Sequence, residues 1–175
     1  KVFFATKGPE FDLLSDKSKI DIEDKKFKLS NRMSRTGALI EGSKLEVKNG
    51  TSDIISDGVS AGTIQLPKDG NMYVLLEDSQ RIGGYSRILN LESTSLWAFT
   101  QLKPGDEFKI VITTIEDAQK RLKELNNIFF GNNIFSEKLF AEKDIYVDGD
   151  IINVKIFGES KEYIYLNNMP LKIDF

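Results

Sequence analysis

"VLLEDSQRIGGYSRI", Val74 to Ile88, is the stretch on which the fold turns. Val74, Leu75 and Leu76 form a short apolar run of the kind a buried strand presents. The run breaks into Glu77, Asp78, Ser79, Gln80 and Arg81. Gly83-Gly84 then reads as a turn, and "SRILNL" is strand-like again. Two strands joined this way argue for antiparallel sheet. The stretch also gathers polar side chains, a glycine pair and Tyr85 at the end of a core strand, where they would border a ligand.

The same grammar holds on either side. "KVFFAT" (Lys1 to Thr6) is an apolar strand, and Gly8-Pro9 turns the chain before Phe11, Leu13 and Leu14 re-enter the core. A short helix and a strand ending at Leu29 follow, then a polar loop from Ser30 to Gly37 and a strand from Ala38 to Ile40. "DIISDGVSAG" reads as a glycine-rich loop, Thr63 to Leu66 as a strand, "PKDG" as a tight turn and Met72 to Leu76 as the next strand. Downstream, Ser93 is placed to cap a short helix burying Leu96, Trp97 and Phe99. "KPGDEFKIVIT" is a turn and a strand with Phe108, Ile110 and Ile112 on one face. Thr113 and Glu116 have capping-box spacing, and Ile115, Ala118, Leu122, Leu125 and Phe129 recur at helical intervals up to a stop near Gly131. Past Gly131, two or three antiparallel strands are expected, with hairpin signals at Asp148-Gly149 and "GESKE". The expectation is a mainly-β barrel with one or two peripheral helices over residues 1–131, followed by an accessory β-hairpin tail over 132–175.

The 175 residues are 40% hydrophobic and 29% charged, ordinary for a folded domain. A net charge of −3 argues against a general nucleic-acid binder, which needs a basic face. The chain has no cysteine and no histidine. Disulfides, thiolate chemistry, Cys/His metal sites and a Ser-His-Asp triad are therefore outside its own means. Proton transfer falls to Asp, Glu, Lys or Tyr. No apolar run is long enough to span a membrane and no signal peptide is visible, so a cytoplasmic protein, or a piece of one, is expected.

Three polar segments follow strand ends: "SRTG" (Ser34 to Gly37), "SAGTIQLPKDG" (Ser60 to Gly70) and "EDSQRIGGY" (Glu77 to Tyr85). Glycine allows close backbone approach, glutamine offers donor and acceptor, and arginine offers a planar fork for an anion. Together they suit a small anionic or amide-bearing ligand. Each also has a plain reading. Gly83-Gly84 alone makes a hairpin, Gln65 on an alternating strand points to solvent, Asp78 caps a turn, Arg35 forms a surface ion pair and Tyr85 sits in core or rim. "DGVSAG" lacks the Gly-Lys-Ser/Thr ending of a phosphate loop. From the residues alone the reading stops at a ligand-binding β domain.

In order, "SRTGALIEG", "ISDGVSAGTIQLPKDG", "VLLEDSQRIGGYSRI" and "LKPGDEFKIVITTIEDAQ" resemble the biotin-dependent carboxyltransferase family. That family is also known as allophanate hydrolase subunit 2 and as the C component of the bacterial ATP-dependent 5-oxoprolinase. The opening "KVFFATKGPEFDLL" is similar to the start of the family's C-terminal half, and the resemblance runs to about Gln119. Arg35, Thr36, Gly37, Glu41 and Gly42 match its first motif, and Gly62, Gln65, Pro67, Asp69 and Gly70 its second. Asp78, Gln80, Gly83, Gly84 and Tyr85 match its third, while Ser79, Arg81, Ile82 and Ser86 depart from the Arg, Thr, Thr and Pro usual there.

The resemblance implies a cyclophilin-like β-barrel and a further N-terminal region in full family members. It implies a subunit of an ATP-dependent 5-oxoprolinase-type complex, inactive alone, that opens the lactam of 5-oxoproline to glutamate with a companion subunit of related fold. On that reading Arg35 holds the substrate carboxylate, Gln65 and Gln80 address the ring amide, Gly83, Gly84 and Tyr85 line the wall, and Asp78 is the acid/base. Two other readings stay open. One is half of a carboxyltransferase acting on urea or a similar amide, with biotin arriving on a separate carrier. The other is a non-catalytic regulatory module, like the antagonist of a sporulation-kinase inhibitor.

Overall fold

The computed structural model describes residues 1–48 and 51–130, and beyond them four strands. The chain divides into two compact units, Lys1–Leu122 and Lys123–Phe175.

The first unit is built on strands β1 (Val2–Lys7), β2 (Phe27–Met33), β3 (Gly37–Glu41), β4 (Asp53–Gly58), β5 (Thr63–Leu66), β6 (Met72–Leu75), β7 (Ile82–Leu91) and β8 (Glu107–Thr113). They run in the order β1-β8-β2-β3-β6-β5-β7-β4, and β7 also pairs with β1. That last pairing closes seven strands into a barrel and leaves β4 outside the ring as an extra strand on β7. β1 and β8 are parallel, with Phe3 opposite Ile110; the remaining pairs are antiparallel. Closure removes the exposed edges that an open sheet would offer to other chains.

Period-two alternation fills the interior. Phe3 and Ala5 of β1, Phe108 and Ile110 of β8, Ala38 and Ile40 of β3, Ile64 and Leu66 of β5 and Met72 and Val74 of β6 all join one buried core. Phe3, Phe99 and Phe108 meet edge to face, with ring centroids 5.4–5.7 Å apart. Phe99 belongs to helix α2 (Ser93–Phe99), whose cap is Glu92 and not Ser93. Glu92 is held there by burial and by the pairing of its carboxylate with Arg121. Leu96 and Phe99 of α2 are buried, but Trp97 is half exposed, because it falls on the opposite face of this two-turn helix.

Helix α1 (Asp16–Asp24) starts where Ser15 Oγ accepts a bond from the Ser18 N–H, and it buries Ile22. Helix α3 (Ile115–Phe130) starts one residue later than the spacing predicts. Thr114 Oγ1 accepts from Asp117 N–H and donates to the Asp117 carboxylate, so the cap is Thr114 with Asp117. Thr113 instead accepts from Arg121, whose guanidinium lies 4.3 Å from the Phe4 ring centroid. No helix among the described residues is long and apolar enough to cross a membrane.

Three expectations about loops and turns change. "DIISDG" is strand β4, and the Ser30–Gly37 loop shrinks because β2 continues to Met33. Gly83-Gly84 is not a turn: both glycines lie inside the ten-residue strand β7, and the chain reverses at Glu77–Ser79.

In the second unit, β9 (Leu139–Val147), β10 (Asp150–Phe157), β11 (Tyr163–Leu166) and β12 (Met169–Lys172) form a four-stranded antiparallel sheet in sequence order, against the two or three strands the sequence suggests. The hairpin signals at Asp148-Gly149 and "GESKE" lie outside the described residues.

Candidate functional site

Because Ile64, Val74 and Ala38 point into the core, their strand neighbours Gln65, Tyr73, Leu75 and Gly37 point out of the barrel. Register brings them side by side: Gly37 faces Leu75 across β3–β6, and Tyr73 faces Gln65 across β6–β5. This outward face forms the floor of a cleft of about 790 Å³. Its walls come from Arg32, Ser34 and Thr36 on one side, Lys68 and Asp69 of the β5–β6 turn, and Asp53, Gln80 and Tyr85 around β4 and β7. The volume lies in the range of small-molecule sites. The hollow lies on the outer face of the sheet, not at the strand ends where the sequence pointed.

Gln65 is the centre of the site. It is only 3% exposed, and its Nε2 has no hydrogen-bond partner among the described residues. Ser52 Oγ and Ser79 Oγ share that condition, but neither residue lines the cleft. A buried amide N–H without an acceptor is costly, and natural proteins keep few of them. Gly83 makes room for it: a Cβ at that position would fall 2.5 Å from Gln65 Nε2 and 3.3 Å from Val59 Cγ1. The glycine is therefore used for close approach of a side chain, within a strand and without a turn.

Charge in the cleft is mostly paired. Lys68 Nζ lies 2.6 Å from Asp53 Oδ2, and that hydrogen bond and charge raise the lysine's pKa. For Asp69, burial opposes the charge, but N–H groups of the Asn71 backbone and side chain, with Lys44 and Arg32 nearby, hold its carboxyl below the usual range. Tyr85 stands opposite Asp53 on β4 and is 45% exposed.

β4 is fastened over this region by Arg87. Arg87 Nε and Nη2 donate to Glu10 at 2.9 and 2.8 Å, while Nη1 donates to Asp57 Oδ2 and Gly58 O, each at 2.9 Å. The Arg87 hydrogen bond is the main cause that lowers the Glu10 pKa, and the same bond raises that of Arg87. Every arm of this guanidinium is occupied, so it positions the strand and leaves no fork for a ligand.

Of the residues the sequence singled out, Gln65, Gln80 and Tyr85 line one cleft, and Gly83 lies against Gln65. Gly84 has the Ser56 hydroxyl and Ile54 carbonyl near it on β4. Arg35 and Asp78 do not line the cleft. They pair with each other, Arg35 Nε to Asp78 Oδ2 at 2.7 Å, with the arginine side chain 87% exposed. The plain reading of Arg35 as a surface ion pair is the one the geometry shows. Four lining residues, Arg32, Lys68, Tyr73 and Asp53, are not picked out by the sequence motifs. Tyr73 carries a usable signal, since it alternates with Met72 and Val74 as Gln65 does with Ile64 and Leu66. Arg32 is hidden by a register irregularity between Leu29 and Met33.

Glutamine amides, phenols and an arginine around a half-apolar floor can bind a small polar molecule by hydrogen bonds to its amide or carboxylate. Among the described residues no group of three Asp or Glu side chains could hold a metal ion. Fold and cleft thus define a closed β-barrel with a candidate site on its outer face. Residues 1–112 match the family model of the carboxyltransferase domain, subdomain A and B, and the chain belongs to that family.

Among curated relatives, it is 27% identical to the C component of 5-oxoprolinase from Haemophilus influenzae over 128 residues, which are 73% of this chain and 41% of that protein. It is 26% identical to the same component from Escherichia coli over 125 residues, 71% of this chain and 40% of that one. The chain thus spans about two fifths of the length of these relatives. Among solved structures, the urea carboxylase of Kluyveromyces lactis superposes with a TM-score of 0.67 at 19% identity, covering 94% of this chain and 16% of that one. That likeness establishes a shared fold.

Proposed function

We propose that this chain is part of a subunit of an ATP-dependent 5-oxoprolinase-type assembly, and that its outer-face cleft receives a lactam or a similar small amide. The observation that carries the reading is the Gln65 amide, buried on the cleft floor with an unanswered N–H. A lactam offers the complement: a carbonyl oxygen to accept from Gln65, and a ring N–H for an acceptor such as the Gln80 amide oxygen or the Tyr85 hydroxyl. The names of the curated relatives support the substrate class.

A lactam carbonyl is a poor electrophile. Transfer of the ATP γ-phosphoryl group to its oxygen releases ADP; water then adds at the carbon, the C–N bond breaks, and phosphate and glutamate leave. A donor at that oxygen orients it for transfer. The chain has no Gly-Lys pair and hence no phosphate loop of the P-loop type, so this reading places ATP elsewhere in the assembly. The test is co-expression with the companion subunits and an assay of ATP-dependent glutamate release. Gln65→Ala should lower release by roughly ten-fold or more, the effect of losing one oriented donor. Release equal to that of the unaltered assembly would remove the cleft from the reaction.

A further inference from the structure

We propose that Arg32 forms a carboxylate subsite in the cleft, so that the amide ligand received by Gln65 is a monoanion; this rests on the lactam reading above. Occupancy decides which cation is available. Two cationic side chains, Arg32 and Lys68, line the cleft, and Lys68 is taken by Asp53 at 2.6 Å. Of the arginines outside the lining, Arg87 holds Glu10 and Asp57 and Arg35 holds Asp78, while Arg81 is exposed and does not line the cleft. The Arg32 guanidinium has no hydrogen bond or ion pair among the described residues, although it is near enough to Asp69 to favour that carboxylate's charge.

Its position fits a two-point site. Arg32 leaves β2 one residue before Met33, which pairs with Ala38 of β3. From β2 through β3 and β6 to Gln65 on β5 is three interstrand steps, about 14 Å between backbones. Arg32 and Gln65, whose Nε2 lies toward Gly83 of β7, mark the two ends of the cleft lining, one for an acid group and one for an amide. The hydroxyls of Ser34 and Thr36 hydrogen-bond to each other at 2.8 Å on the same wall, which leaves one of their two protons as a donor beside the fork. One guanidinium suits a singly charged carboxylate. A phosphate dianion would face the Asp69 carboxylate on the same lining with only that one cation to balance it.

The test is titration calorimetry of the full chain with two probes: 5-oxoproline, and 2-pyrrolidinone, the same ring without the carboxylate. The unaltered chain should bind 5-oxoproline about ten-fold or more tightly than 2-pyrrolidinone, as a charge-assisted hydrogen bond requires. Arg32→Gln should bring the two within about two-fold of each other, the residual spread of such context-dependent effects, while Arg35→Gln leaves the preference intact. A preference that survives Arg32→Gln, or that Arg35→Gln abolishes, overturns the subsite and leaves the lactam reading standing. Equal binding of both probes by the unaltered chain does the same. Binding of neither probe overturns the lactam reading and the subsite with it.

Discussion

Replacing Gln65 by methionine should stabilise the barrel while weakening the proposed lactam binding. Gln65 is almost wholly buried, and its Nε2 has no acceptor among the described residues. A buried donor left unsatisfied costs about 1–3 kcal/mol. Methionine is unbranched, of similar length and able to fill the same space. Gln65→Met removes the unsatisfied group and keeps a side chain of similar length beside Gly83. After allowance for imperfect fit of the thioether, a gain of about 1 kcal/mol is expected, or roughly 3–6 °C in Tm for a barrel of this size. Trp97 is the only tryptophan in the sequence and belongs to α2 of the barrel. Its fluorescence during urea or thermal unfolding therefore follows the barrel apart from the second unit, which matters because a chain of two units need not unfold in one step. The same variant should bind 5-oxoproline at least ten-fold more weakly. A loss of stability of about 1 kcal/mol or more in Gln65→Met would defeat this expectation, since it would mean that the amide is satisfied in the free protein.

Gly83→Ala acts on the same pair from the other side. Its Cβ would press on the end of a flexible side chain, and the chain gains from the lost glycine entropy, so stability should change by no more than about 1 kcal/mol. Lactam binding should fall several-fold, because the Gln65 amide is displaced; unchanged affinity in calorimetry would deny that this glycine shapes the site. For Glu10, the folded pKa is lowered by Arg87, so its contribution is present above the unfolded carboxyl pKa and is lost as pH falls through the folded value. Stability measured from about pH 6 down to about pH 2 should fall in acid, and Glu10→Gln should flatten that fall while lowering stability at the upper end by about 1–2 kcal/mol, as for a part-buried charge-assisted hydrogen bond. An acid limb as steep as that of the unaltered chain would assign it to other carboxylates.

The closed barrel is legible in the sequence because its strands alternate cleanly: Phe108 and Ile110, Ile64 and Leu66, and Met72 and Val74 each leave one neighbour of the other face between apolar ones. Alternation also marks Gln65 and Tyr73 as lying on one outer face. What period two does not say is whether that face is wet. Alternation alone sends Gln65 to solvent, yet it is buried, with Gly83 close against its amide. The segment of β4 reads as a loop because "DIISDG" is rich in Ser, Asp and Gly; it pairs only with β7 and is mostly exposed, so nothing selects apolar residues there. The Gly83-Gly84 pair carries a turn signal by composition, while its true cause, the space demanded by Gln65 and by β4, is a tertiary contact that no local rule reports. Trp97 shows the opposite error: an aromatic assigned to the core by type is placed outside by the phase of a seven-residue helix. The motif singles out Arg35 over Arg32, and nothing local reveals that it is occupied, because its ion pair with Asp78 spans 43 positions.

The proposed site rests on the Gln65 side-chain amide as the donor to a ligand carbonyl. The 1H–15N spectrum of the Gln65 NH2 group in the full chain, assigned by its disappearance in Gln65→Met, reads this out during titration with 5-oxoproline. A saturable downfield shift of that resonance is expected as its N–H acquires an acceptor. A Gln65 amide that stays in place while other resonances saturate, or a spectrum that does not respond at all, would show that no carbonyl arrives there.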